Sequence, residues 1–136
     1  MNNDSQRHET IRVLLVDDSI LIRTLIQETL QKAGFWVSVA SDGMEAWELL
    51  QKEQIHLVVS DVYMPNLDGL ELTRLIRANK KTRMLPIILI SATDTDEDRR
   101  LGLTYGANAF IMKEKRDLDT LPNRIMGMLQ TGKSEL

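Results

Sequence analysis

The sequence predicts an α/β protein, a doubly wound parallel sheet of five strands with helices on both faces. Three observations lead there. Short β-rich apolar runs alternate along the chain with segments of helical period. The runs are nearly free of polar residues, as strands covered on both faces should be. Four of them end on residues that can handle a phosphate or a metal: IRVLLV on Asp17 and Asp18, HLVVS on Asp61, PIILI on Ser91 and AFIM on Lys113.

Residues 12–16 form the first strand. Leu21, Ile22, Leu25, Ile26 and Leu30 then recur at helical spacing, with Ser19 as N-cap and Gly34 as a left-handed stop after Ala33. Residues 36–40 read as a second strand. Asp42 and Glu45 make a capping box for a helix bearing Ala46, Leu49 and Leu50. Strand three is 57–60, and VYMPNLDG carries the turn residues Pro65 and Gly69 before a helix with Leu70, Leu72, Leu75 and Ile76. Strand four, 87–90, follows Pro86. The next segment, DTDEDRRLGLTYG, is acidic first and cationic in its middle, which suits a helix dipole. Its apolar face is thin, so this fourth helix should be the least firmly packed. Strand five is 109–112, and Leu118, Leu121, Ile125, Met128 and Leu129 make one face of a last helix. The count is (βα)5, five strands each followed by a helix. Right-handed crossovers favour the flavodoxin-like strand order 2-1-3-4-5, whose ligand crevice lies between strands one and three. Asp17, Asp18 and Asp61 fall at that crevice.

At 136 residues the chain suits one domain, expected over 11–131, with a flexible tail at 1–10 and a short one at 132–136. The net charge of -3 argues against a broad nucleic-acid-binding surface. The absence of cysteine removes disulfides and thiolate metal sites and is compatible with a reducing cytoplasm. The polar start MNNDSQRHET has no apolar signal region, and no run approaches the roughly 20 apolar residues of a membrane span.

Over residues 11–131 the chain resembles a receiver domain of a two-component response regulator. The matching pieces are VDDS at 16–19, SDVYMPNLDGLEL at 60–72, SA at 91–92 and GANAFIMK at 106–113. The resemblance implies a signalling domain and not a turnover enzyme, with Asp61 accepting a phosphoryl group from a phosphohistidine. The donor would be a sensor histidine kinase or a histidine phosphotransfer protein. It implies magnesium held by Asp17, Asp18, Asp61 and the backbone carbonyl of Tyr63, with Ser91 and Lys113 contacting the phosphoryl oxygens. Phe110 takes the position of the aromatic side chain whose rotation, with movement of Ser91, reports phosphorylation. The fourth helix, fifth strand and fifth helix would then present a changed surface to a downstream partner, an output domain or a second copy, in the cytoplasm. The usual proline after the strand-five lysine is replaced by Glu114. A non-proline cis bond costs about 2.5–4 kcal/mol, so a trans bond or a reshaped loop is expected there.

The chemistry also stands on its own. An aspartate with a reference pKa of about 3.9 needs no general base at neutral pH to attack phosphorus. Its obstacle is charge: neighbouring carboxylates repel by about 4 kcal/mol per pair at an effective dielectric of 20. Magnesium, which prefers oxygen ligands, removes that obstacle, and Lys113 and Ser91 stabilise charge spreading in a loose transition state. Taken singly, the acids could be solvated helix caps, Ser91 an ordinary strand-end serine and Phe110 plain core. Their joint spacing favours function. His8 and His56 lack partners at metal-ligand spacing and read as bystanders, and Met64 with Pro65 as loop-shaping. The string GMLQTGKS at 127–134 satisfies a P-loop pattern but follows a helix instead of linking a strand to one, so a fraying end stopped by Gly132 explains it better. Two other functions compete. One is an adaptor that docks a partner without phosphorylation, motivated by Glu114. The other is an aspartyl-nucleophile phosphohydrolase, which would call for a D-x-D arrangement where this chain has contiguous acids.

Overall fold

The computed structural model describes residues 11–93 and 95–131; the expected tails, His8 and the Gly132 stop lie outside the described residues. The sheet consists of β1 (Arg12–Val16), β2 (Trp36–Ala40), β3 (Leu57–Asp61), β4 (Ile87–Ser91) and β5 (Ala109–Met112). Helices α1 (Ile20–Lys32), α2 (Gly43–Lys52), α3 (Gly69–Ala78) and α4 (Asp96–Tyr105) fill the crossovers. A short α5 (Lys115–Leu118) and then α6 (Leu121–Thr131) follow β5. The strands run in the order β2-β1-β3-β4-β5 and every pairing is parallel.

Strand side chains alternate between the two faces, and this alternation divides the core. Val13, Leu15, Leu57, Val59, Ile88, Ile90, Ala109 and Ile111 lie on one face, beneath Ile26 and Leu30 of α1 and Leu121, Ile125 and Met128 of α6. Leu14, Val16, Val58, Ile87, Leu89 and Phe110 lie on the other, covered by Ala46 of α2 and Leu70, Leu72 and Ile76 of α3. The expected loose helix, α4, buries only Asp98 and Gly102.

The caps form largely as the sequence requires. Ser19 Oγ accepts from Ile22 N, and Gly34, at φ 95°, ends α1. Asp42 accepts from Glu45 N at 2.9 Å, but Glu45 reaches back to Ser41 N and Oγ, one residue before the cap. Strands three and four each run one residue further than expected, to Asp61 and Ser91.

Two expectations need correction. Leu21 and Leu25 do not join the core: they are 77% and 37% exposed, while Ile26 and Leu30 are fully buried. The buried stripe is narrower than the run of apolar residues, because each residue turns the helix by about 100°. The last helix is broken into α5 and α6. Pro122 has no N–H to offer the Leu118 carbonyl, so a continuous ladder stops there and a new helix starts with the proline in its first turn. No helix among the described residues is long and apolar enough to cross a membrane.

Candidate functional site

The site continues one face of the sheet past its last apolar layer. Val13 and Leu15 lead to Asp17, Leu57 and Val59 to Asp61, and Ala109 and Ile111 to Lys113. Parallel register therefore delivers two carboxylates and an ammonium to one place.

Asp17 is fully buried; its Oδ1 accepts from Ser19 N at 2.8 Å, and its backbone is tied to Ala40 O and to the Arg23 guanidinium. Asp61 is 5% exposed, whereas Asp18 is open to solvent. Ligand oxygens of the three acids lie within 4.8 Å of one another. Lys113 Nζ stands 2.9 Å from Asp61 Oδ2, a hydrogen bond, and 2.9 Å from Asp17 Oδ2. The second contact lacks hydrogen-bond direction, so Asp17 Oδ2 is a buried carboxylate oxygen with a charge partner but no aligned donor. Burial pushes the Asp61 carboxyl above the ordinary carboxylate range; the Lys113 hydrogen bond pulls it back and the Asp17 charge adds to the push. Burial works against the Lys113 charge too, but the two carboxylates outweigh it and hold the ammonium above its ordinary pKa. Converging acids with an unaligned buried oxygen fit a hard divalent cation that takes oxygen ligands.

Ser91 is fully buried at the end of β4, and its main-chain carbonyl accepts from Lys113 N at 2.8 Å. Its hydroxyl oxygen accepts from Thr93 N at 3.2 Å. Phe110 pairs with Leu89 in register, so it shares a sheet face with Ser91. Its ring is already buried at 5% exposure, beside Gly102 and under the Arg99 guanidinium at 5.0 Å from the ring centroid.

The loop after Asp61 is held by close backbone contacts. Gly69 N donates to Val62 O at 2.8 Å, and a Cβ on Gly69 would collide with Asp61 O. Asn66, at φ 69°, donates from its side chain to Asp42 Oδ2. The Tyr63 hydroxyl donates to Asp98 Oδ1 at 2.5 Å, and that bond holds the phenol above its ordinary pKa. Asp98, Thr93 and the side chain of Tyr63 were not singled out from sequence; the one hint was an acid in the first turn of an apolar-poor helix. Glu114 is joined by trans bonds, its side chain is 57% exposed, and its carboxylate lies 4.0 Å from Arg116. Lys113 is left to Asp17 and Asp61. His56 Nδ1 accepts from Arg12 N, a main-chain role.

A parallel α/β sheet with a lysine-bridged acidic pocket at its carboxyl edge defines the architecture of a signalling receiver. The chain belongs to the response regulator receiver domain family of two-component systems, whose model matches residues 13–126. It is 40% identical over 102 residues to the alkaline phosphatase synthesis transcriptional regulatory protein PhoP of Bacillus subtilis, covering 75% of this chain and 42% of that one. The chain spans about half the length, or less, of the curated relatives it matches. Among solved structures it is similar to the chemotaxis response regulator CheY4 of Vibrio cholerae, with TM-score 0.78 and 32% identity over 86% of this chain and 97% of that one. The receiver domain of sensor histidine kinase PA1611 from Pseudomonas aeruginosa, with magnesium coordinated in its active-site cleft, superposes with TM-score 0.75 and 30% identity over 86% of this chain and 98% of that one.

Proposed function

We propose that Asp61 is the phosphoacceptor of a magnesium-dependent switch. The observation that carries this is Lys113 bridging Asp17 and Asp61 at 2.9 Å inside a three-carboxylate cluster. An Asp61 oxygen attacks the phosphorus of a phosphohistidine; a P–O bond forms as the P–N bond breaks, and the imidazole leaves with its electron pair. Lys113 neutralises charge on the phosphoryl oxygens and the Ser91 hydroxyl donates to one of them. Asp17, Asp18, Asp61 and the Tyr63 carbonyl would hold the cation, which supplies charge cancellation between the acids and the incoming group.

Residues 11–131 act as the receiver unit in this reading, with a sensor histidine kinase or histidine phosphotransfer protein as donor and a cytoplasmic location. The output surface comprises α4, β5 and the terminal helices, read by a partner, an output domain or a second copy. Dephosphorylation by water makes the domain a timed signal. The adaptor reading, motivated by Glu114, is tested by experiment: partner affinity unchanged by magnesium with an acyl-phosphate mimic would favour it.

Asp61→Asn is expected to abolish labelling by a phosphohistidine donor, and labelling at wild-type levels would overturn the reading. Wild-type amide shifts on adding beryllofluoride, a mimic of the aspartyl phosphate, are expected to require both magnesium and Asp61.

A further inference from the structure

We propose that the Tyr63–Asp98 hydrogen bond is a latch that ties α4 to the loop after Asp61 and favours the resting state over the phosphorylated one. The inference rests on the phosphoacceptor reading above.

Asp98 is 4% exposed and takes no part in the phosphoryl chemistry. Its carboxylate accepts from the Tyr63 hydroxyl at 2.5 Å on one oxygen and from Thr93 Oγ1 at 3.4 Å on the other. Thr93 in turn meets Ser91 Oγ through its own Oγ1 at 3.4 Å, and its main-chain N donates to the same oxygen at 3.2 Å. A continuous side-chain path therefore runs from the loop after the acceptor, through the first turn of α4, to the hydroxyl that would contact the phosphoryl group. Drawing Ser91 toward a phosphorylated Asp61 pulls on Thr93, which Asp98 restrains, and Tyr63 fixes Asp98 from the far side. No large apolar side chain of α4 is fully buried, and only Leu101 and Tyr105 pack partly buried on the core, so these polar contacts add to a thin apolar anchor. Tyr63 is 58% exposed, so solvent can take over its hydroxyl when the bond to Asp98 breaks.

A ligand shifts a two-state element only by its differential affinity, so weakening a contact peculiar to the resting state raises the apparent affinity for whatever selects the other state. The test is a beryllofluoride titration of the full chain at saturating magnesium, followed by α4 amide resonances. Tyr63→Phe and Asp98→Ala are each expected to tighten apparent binding by about tenfold, or about 1.4 kcal/mol. The double variant should gain no more than either single one, and Asp98→Asn, which keeps an acceptor for the phenol, should stay within about twofold of wild type. Loss of a merely structural contact would lower thermal stability without tightening the ligand. Unchanged or weaker binding in Tyr63→Phe, or additive gains in the double variant, would overturn the latch while leaving the phosphoacceptor reading intact. A wild-type protein with no magnesium- and Asp61-dependent shift would overturn both.

Discussion

Lys113 Nζ lies 2.9 Å from a carboxylate oxygen of both Asp17 and Asp61, and the side chains of the three are 11%, 0% and 7% exposed. Removing one partner of a buried ion pair strands the remaining charge, at a cost of about 3–5 kcal/mol. Lys113→Met is accordingly expected to lower the urea-unfolding free energy at pH 7 by about 3 kcal/mol in metal-free buffer, and by less with magnesium present. The pH dependence follows from Asp61, whose pKa folding raises. The folded chain binds that proton more tightly than the unfolded one, so this contribution is fully present below the unfolded value of about 3.9 and is lost as pH rises through the folded value. In chelator-treated samples the wild-type melting temperature should fall across that window relative to Asp61→Asn, which removes the titrating group. Parallel profiles for the two proteins would contradict the assignment. At this scale much of the site was legible: Asp17, Asp61 and Lys113 stand at even spacings from their strands' apolar residues, and the pleat aligns them. Asp98 was not, because its partner Tyr63 lies 35 residues away on another loop and no periodicity connects the two.

The C-terminal end of α3 is fastened by Arg77, whose guanidinium donates to the carbonyls of Gly106, Arg83 and Leu85 and to Asn108 Oδ1. One planar fork thus joins a helix, the strand entry before β4 and the turn before β5. Arg77→Ala is expected to destabilise the protein by about 2–3 kcal/mol in urea titrations. Arg77→Lys should recover little of that, because an ammonium cannot span the same acceptors. Element types and order were readable from the alternation of apolar runs and helical periods, and the caps at Ser19 and Asp42 from their residue types. Where the reading failed, tertiary placement or proline chemistry decided. Leu21 and Leu25 extend an apolar stripe further than the sheet can cover, and Pro122 interrupts a face whose spacing otherwise looks continuous.

Across the whole molecule the residues of the two core layers fall between Ile11 and Leu129, and we propose that 11–131 is the folding unit. A chain trimmed to 11–131 is expected to melt within about 3 °C of the full one by circular dichroism. The strand order was legible because handedness rules leave little choice for five parallel strands. How α4 would respond to a phosphoryl group was not, since that depends on side-chain contacts no pattern encodes. The same order also sets a sequence in time. β1 lies between β2 and β3, so the amino-terminal half can assemble these three strands, and with them all three acids, before the rest of the chain is made. Lys113, just past edge strand β5, arrives last. A chain that assembles in this order is expected to gather its three acids before their counterweight, so that charge as well as apolar contact would draw the final strand into place.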